Sequence, residues 1–260
     1  MRHHLTAYRL IYLGIVVTAA AYLAGIGLQA AAEAEMTGKI YVGRFSDAPP
    51  GEARPEGWEP LVFKNIKTHT RYTVAETDGT VAVKAESHAS ASGLIRKIRI
   101  DPFEYPWVSW RWKVMGVLKK GDVTNKNGDD YPARLYITFE YDPGRLSFLE
   151  RTKYKAAKLL YGEYPPTGAL NYIWGSNAPT GLVVPNPYTE KAMMIVVESG
   201  AAKLNQWVRE KRNLLEDYRQ AFHSDPPAIS GVAVMTDTDN TGESVIAYFG
   251  DIVFEKDLEN

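Results

Sequence analysis

Trp107-Val108-Ser109-Trp110-Arg111-Trp112-Lys113-Val114 alternates apolar and polar residues without a break. Successive side chains of an extended chain point to opposite faces, so Val108, Trp110, Trp112 and Val114 share one face, and Ser109, Arg111 and Lys113 the other. A helix would scatter the same residues around its circumference. The stretch is a strand with one buried face, and the fold around it is built from sheets. The same period recurs on both sides. Val81, Val83 and Ala85 oppose Lys84 and Glu86, and Asp78-Gly79 joins that run to Arg71-Tyr72-Thr73-Val74 as a hairpin turn. Leu135, Ile137 and Phe139 oppose Arg134, Tyr136, Thr138 and Glu140. Ala192 to Glu198 and Gly231 to Met235 are apolar on both faces, as strands covered on both sides are.

Short strands are also expected at Lys39 to Val42, at Leu94 to Ile100, and on either side of Gly250. Two segments break the pattern. Leu149 to Tyr161 reads as a helix. Trp207 to Phe222 carries a stripe of Trp207, Lys211, Leu214, Leu215, Tyr218 and Phe222 at helical spacing, with Asn205 as its cap. Strands do not alternate with helices, so a parallel sheet is not expected. The sequence predicts a mainly β chain: an antiparallel β-sandwich, jelly-roll-like, with two rim helices.

An uncharged run from Leu10 to Ala32 follows Arg2 and Arg9 and precedes Glu33. A positive start, an apolar middle and a small-residue exit are the marks of a secretory signal, and the run is also long enough to span a bilayer. Residues 1–35 are therefore expected to be a signal peptide or membrane-anchor helix, and 36–260 a single β-sandwich domain. Either outcome makes the protein exported, periplasmic or anchored in the envelope. The chain has no cysteine, so disulfides, zinc–thiolate sites and a cysteine nucleophile are excluded. Its net charge is −1 with both signs interspersed, which argues against nucleic acid as a partner.

Three places gather polar groups beside apolar strands. Asp129 and Asp130 stand at a strand entrance with Arg134 behind them. Such a set clamps a hydroxylated ligand or, with one carboxylate held ionised and the other pushed up, performs acid/base chemistry. The competing reading is a capped turn with a structural ion pair. Asp237, Asp239 and Asn240 follow the buried strand 231–235, and alternate oxygen-bearing side chains are what Ca²⁺ selects. No glutamate closes a twelve-residue calcium loop there, and an Asx turn is the alternative. Trp110, Trp112, Tyr131, Tyr172 and Trp174 offer flat faces for stacking on sugar rings, or core packing.

Trp110 to Val114, Gly128-Asp129-Asp130 with Arg134, Trp207 with Asp217-Tyr218 and Phe222, Asp237 to Gly242 and Gly250-Asp251-Ile252 occur in this order. Together they resemble a bacterial exported family, the domain of unknown function 3047, across about Tyr41 to Glu255. That resemblance implies one periplasmic or surface domain and no particular reaction. The loop around Trp58 and the closing strand also resemble sandwich carbohydrate-binding modules, a likeness of fold. The function expected is an exported envelope protein that binds, or binds and cleaves, a glycan. Asp129, Asp130 and Arg134 would be its clamp, Asp237, Asp239 and Asn240 its cation site, and Trp110, Trp112, Tyr131 and Trp174 its stacking surface. The alternative is a non-catalytic, membrane-tethered interaction domain. The first reading requires the two acidic loops to converge at one end of a sheet.

Overall fold

A computed structural model describes residues 38–161 and 164–256; the expected signal or anchor helix lies outside the described residues. In chain order the strands of the first half are β1 (Lys39–Gly43), β2 (Glu59–Leu61), β3 (Arg71–Thr77), β4 (Thr80–His88), β5 (Ala91–Ile100), β6 (Trp107–Val114) and β7 (Arg134–Phe139). Helix α1 (Phe148–Tyr161) precedes β8 (Gly168–Gly175), β9 (Val183–Asn186), β10 (Thr189–Ser199) and β11 (Val208–Asn213). Helix α2 (Leu214–Phe222), β12 (Ile229–Asp237) and β13 (Ser244–Glu255) complete the order. Tyr41–Asp257 form one compact unit.

The strands make two sheets. One runs β11-β6-β13-β4-β3, with β1 also pairing β13; the other runs β2-β5-β12-β7-β8-β10-β9. They pack face to face, consistent with a β-sandwich. The alternation of β6 sets the inner layer: Val108, Trp110, Trp112 and Val114 are buried. Trp110 meets Tyr172 of β8 at 5.1 Å between ring centroids, and Trp112 meets Trp174 of β8 at 6.0 Å. Leu135, Ile137 and Phe139 of β7 fill the same layer. The β3–β4 hairpin turns at Asp78 and Gly79, whose φ angles of 51° and 69° match a primed turn with strand-like twist. Trp58 anchors the loop before β2, its ring 5.0 Å from Phe45.

Three expectations are corrected. The sheets are not wholly antiparallel, because β10 runs parallel to β8. The chain leaves β8, forms β9 antiparallel to β10, and so returns in its original direction. Residues 208–213 are strand, paired with β6 from Val208↔Trp112 to Asn213↔Trp107. Only Leu214–Phe222 is helical, and its cap is Asn213, whose side chain accepts from the Glu216 amide at 3.1 Å. Trp207 and Lys211 are four apart, a spacing that lies on one face of a strand as well as of a helix. Finally, the two short strands around Gly250 are one strand, β13, with a register shift between Phe249 and Ile252.

Candidate functional site

The site lies on the outer face of the seven-stranded sheet. Period-two alternation sends Leu135 and Ile137 inward, so Arg134 and Tyr136 look outward from β7. Arg134 pairs in register with Met235 near the end of β12, two residues before Asp237. That strand end is pinned from several sides. Thr70 Oγ1 donates to the Thr236 carbonyl at 2.7 Å, Thr236 Oγ1 to the Pro132 carbonyl at 2.9 Å, and Ser87 Oγ meets Thr238 Oγ1 at 2.8 Å. Asp237 is thereby held rigidly beneath Arg134.

Arg134 and Asp237 form a buried two-pronged ion pair. Nε donates to Oδ1 at 2.8 Å and Nη2 donates to Oδ2. Nη2 also donates to the Asp129 carbonyl at 2.8 Å. The guanidinium lies 4.2 Å over the Tyr131 ring. Asp130 closes the other loop: its Oδ2 accepts from the Thr241 amide at 2.6 Å, and its Oδ1 from Asn240 Nδ2 at 3.1 Å. Glu243 adds a further tie, accepting from the Lys119 and Lys120 amides at 3.0 and 2.9 Å. Asp129 Oδ2 accepts from Asn186 Nδ2 at 2.9 Å, while the buried Oδ1 has no hydrogen-bond partner. The two acidic loops, about a hundred residues apart in sequence, therefore meet.

Two carboxylates, Asp237 and Asp129, pair with the guanidinium, and Asp130 and Asp239 lie beside Asp237. Burial tends to lower Arg134, but Asp237 and Asp129 outweigh it and hold the guanidinium well above its ordinary value. Burial pushes the Asp237 carboxyl above the usual carboxylate range, against the pull of Arg134. Asp239 is raised as well, by burial first and then by the charge of Asp130. One oxygen from each of Asp130, Asp237 and Asp239 lies within 4.8 Å of the others, a spacing that fits a cation. Asp130 thus joins Asp237 and Asp239 as a ligand candidate, whereas Asn240 Oδ1 accepts from the Tyr188 hydroxyl at 3.1 Å. Each carboxylate oxygen offers two lone pairs, so the protein bonds to Asp130 and Asp237 leave room for a hard ion.

These groups, Asp130 excepted, line one end of an open cleft of about 750 Å³, which continues past Tyr136 to Val62, Phe63 and Ile66. Phe63 and Tyr188 are exposed on its walls. Asp129, Arg134, Asp237, Asp239 and Asn240 all face this cleft. The expected stacking residues do not. Trp110, Trp112 and Trp174 are buried between the sheets, and Tyr131 is buried in a satellite cluster with Val123, Ile173, Met194 and Val196. An aromatic ring alternating with valines on a strand follows the buried face, which is why core packing wins. Tyr188 and Asn186 escape a sequence reading because Pro185-Asn186-Pro187-Tyr188 reads as loop; the only signal is an asparagine between two prolines followed by a tyrosine.

A family model described as "Protein of unknown function (DUF3047)" matches residues 56–253. No curated protein matches the chain. Among solved structures, the Emp47p carbohydrate recognition domain is similar at 10% identity, covering 83% of this chain and 94% of that one, with a TM-score of 0.40. A non-crystalline cellulose specific carbohydrate-binding module, CBM28, is similar at 13% identity over 81% of this chain and 92% of that one, TM-score 0.32. The Spr0440 glycoside hydrolase domain, Endo-D from Streptococcus pneumoniae R6, is similar at 8% identity and TM-score 0.30 over 78% of this chain. This chain spans only 22% of that structure's length. Likenesses this distant identify no shared site.

Proposed function

The chain belongs to the DUF3047 family, and we propose that it is an exported envelope protein whose outer-face cleft binds a glycan. The observation that carries this reading is the convergence of Asp129–Asp130 and Asp237–Asn240 at the end of a cleft that also exposes Tyr188 and Phe63. Sugar rings present apolar faces to aromatic side chains and hydroxyls to carboxylates and amides. Phe63 and Tyr188 supply the first kind of contact; Asp129, Asp239, Asn186 and Asn240 supply the second. Ca²⁺ held by Asp130, Asp237 and Asp239 would neutralise the cluster and offer its open positions to sugar hydroxyls. The jelly-roll-like sandwich, residues 36–260 as one domain and the signal or anchor segment at 1–35 belong to the same reading. Binding has the stronger support. If the glycan is cleaved, Asp239 is the carboxylate to test first as acid/base, since it lines the cleft half-buried and its pKa is raised by burial and the charge of Asp130.

One observation favours the rival, a non-catalytic interaction domain. Asp130 caps backbone amides with both oxygens, and Asp237 pairs both of its own with Arg134. Asp239 separates the readings, because it lines the cleft without making an ion pair to Arg134. Asp239→Asn protein that melts like wild type but no longer binds polysaccharide supports the cleft. Undiminished binding by Asp239→Asn and Tyr188→Ala supports the rival.

A further inference from the structure

By its described side chains, helix α1 turns the opposite way from a helix that packs its apolar face on a sheet. Among its described side chains, those that face the protein are polar or aromatic. Tyr154 is buried there: its ring stacks on Tyr141 at 5.0 Å, and its hydroxyl donates to the Pro166 carbonyl at 3.0 Å. Glu150 pairs with Lys191 at 3.0 Å, and Lys158 sits 4.4 Å over the Tyr164 ring. Among the described side chains, the large apolar ones point away. Phe148, Leu149 and Leu159 are 85%, 65% and 89% exposed. With 3.6 residues per turn, Phe148, Thr152, Ala156 and Leu159 fall in one arc, with Leu149 at its margin. Exposed Lys155 borders the arc on one side and exposed Lys153 on the other.

Four cations on this helix (Arg151, Lys153, Lys155 and Lys158) stand against one carboxylate, Glu150, in a chain whose net charge is −1. We propose that α1 is a membrane-surface helix that lays Phe148, Leu149 and Leu159 into the headgroup–acyl boundary of an anionic bilayer. An apolar arc with a lysine on each border is the pattern of an interfacial helix, since lysine stems lie along the apolar surface while their ammonium groups reach the phosphates. Among the described residues no helix is long and apolar enough to cross a membrane, so α1 lies on the surface rather than spanning it. The contact is separate from the cleft, which α1 does not line.

The chain has no cysteine, so Leu159→Cys places a single environment-sensitive fluorophore on the arc of the full chain. Glu76→Cys, exposed on the edge strand β3 of the other sheet, is the control position. The labelled protein is mixed with vesicles of phosphatidylcholine alone or with phosphatidylglycerol added. The uncharged run 10–32 would tether the chain to either vesicle, so the difference between them reports α1. Emission at position 159 is expected to brighten and shift to the blue on the anionic vesicles only, with position 76 unchanged. Lys153→Glu with Lys155→Glu raises the lipid concentration at half-signal by about fivefold per lysine. Equal signals on both vesicles, or no signal on either, overturn the proposal. A blue shift without lipid that grows with protein concentration overturns it too, assigning the face to a second copy.

Discussion

The two faces of the seven-stranded sheet use similar residue types to opposite ends. On the inner face, Tyr172 and Trp174 pack against Trp110 and Trp112 and see no solvent. On the outer face, Arg134 and Tyr136 from the neighbouring strand look into a cleft beside three carboxylates, Asp129, Asp237 and Asp239. One register step on β7 and β8 decides which face a side chain joins. The lesson is that aromatic content alone says nothing about ligand stacking. What separates core from site here is the company each face keeps: aromatics and valines inside, and charges in excess of their partners outside.

The comparison can be broken from the inside first. Trp112→Ala should cost about 3–5 kcal/mol in urea unfolding, as loss of a large core side chain does, while the protein that remains folded binds polysaccharide as before. A comparable loss is expected on the outer side from Arg134→Met, about 3–5 kcal/mol, because Asp237 is left buried without its partner. Combining it with Asp237→Leu should recover most of that stability and abolish any response to calcium; failure to recover would mean that Arg134 acts through Asp129 instead.

Protons give the next largest effect. Asp239 holds its proton more tightly folded than unfolded, through burial and the charge of Asp130. Its contribution is thus fully present below the ordinary carboxylate pKa and is lost as pH rises through the raised value. In chelator, melting temperature should fall across that range. Calcium competes with that proton, so its stabilisation should be larger at pH 8 than at pH 5, reaching about 2.7 kcal/mol at a hundredfold excess over its dissociation constant. A melting temperature indifferent to both calcium and chelator removes the metal. Asp239→Asn should change stability by no more than about 0.5 kcal/mol yet abolish the calcium increment. Tyr188→Ala is expected to be the mildest for folding, and to weaken polysaccharide binding by about 1 kcal/mol, the worth of one stacking contact.

Much of the architecture was legible because period two is a strong signal where one face is buried. The inner layer of β6 and β7 could be read residue by residue, and so could Arg134 and Tyr136 on the opposite face. The convergence of the acidic loops could only be assumed, since hydrogen bonds such as Asn240 to Asp130 span 110 residues. Strands β8 and β9 were less legible. They lie in a stretch punctuated by Pro165, Pro166, Pro179 and Pro185, and β8, buried on both faces, shows no alternation. Asn186 and Tyr188 went unseen with them. Strand β11 was hidden by its helix-like spacing into α2.

The central claim is that the acidic end of the outer face holds a ligand rather than merely closing a turn. Affinity electrophoresis of wild type, Asp239→Asn and Tyr188→Ala through gels containing soluble bacterial polysaccharides tests it most directly. The account predicts that a polysaccharide slows the wild type, that Asp239→Asn, melting normally, runs free, and that Tyr188→Ala, also melting normally, is slowed less than the wild type. Equal mobility of all three proteins in every gel would contradict it.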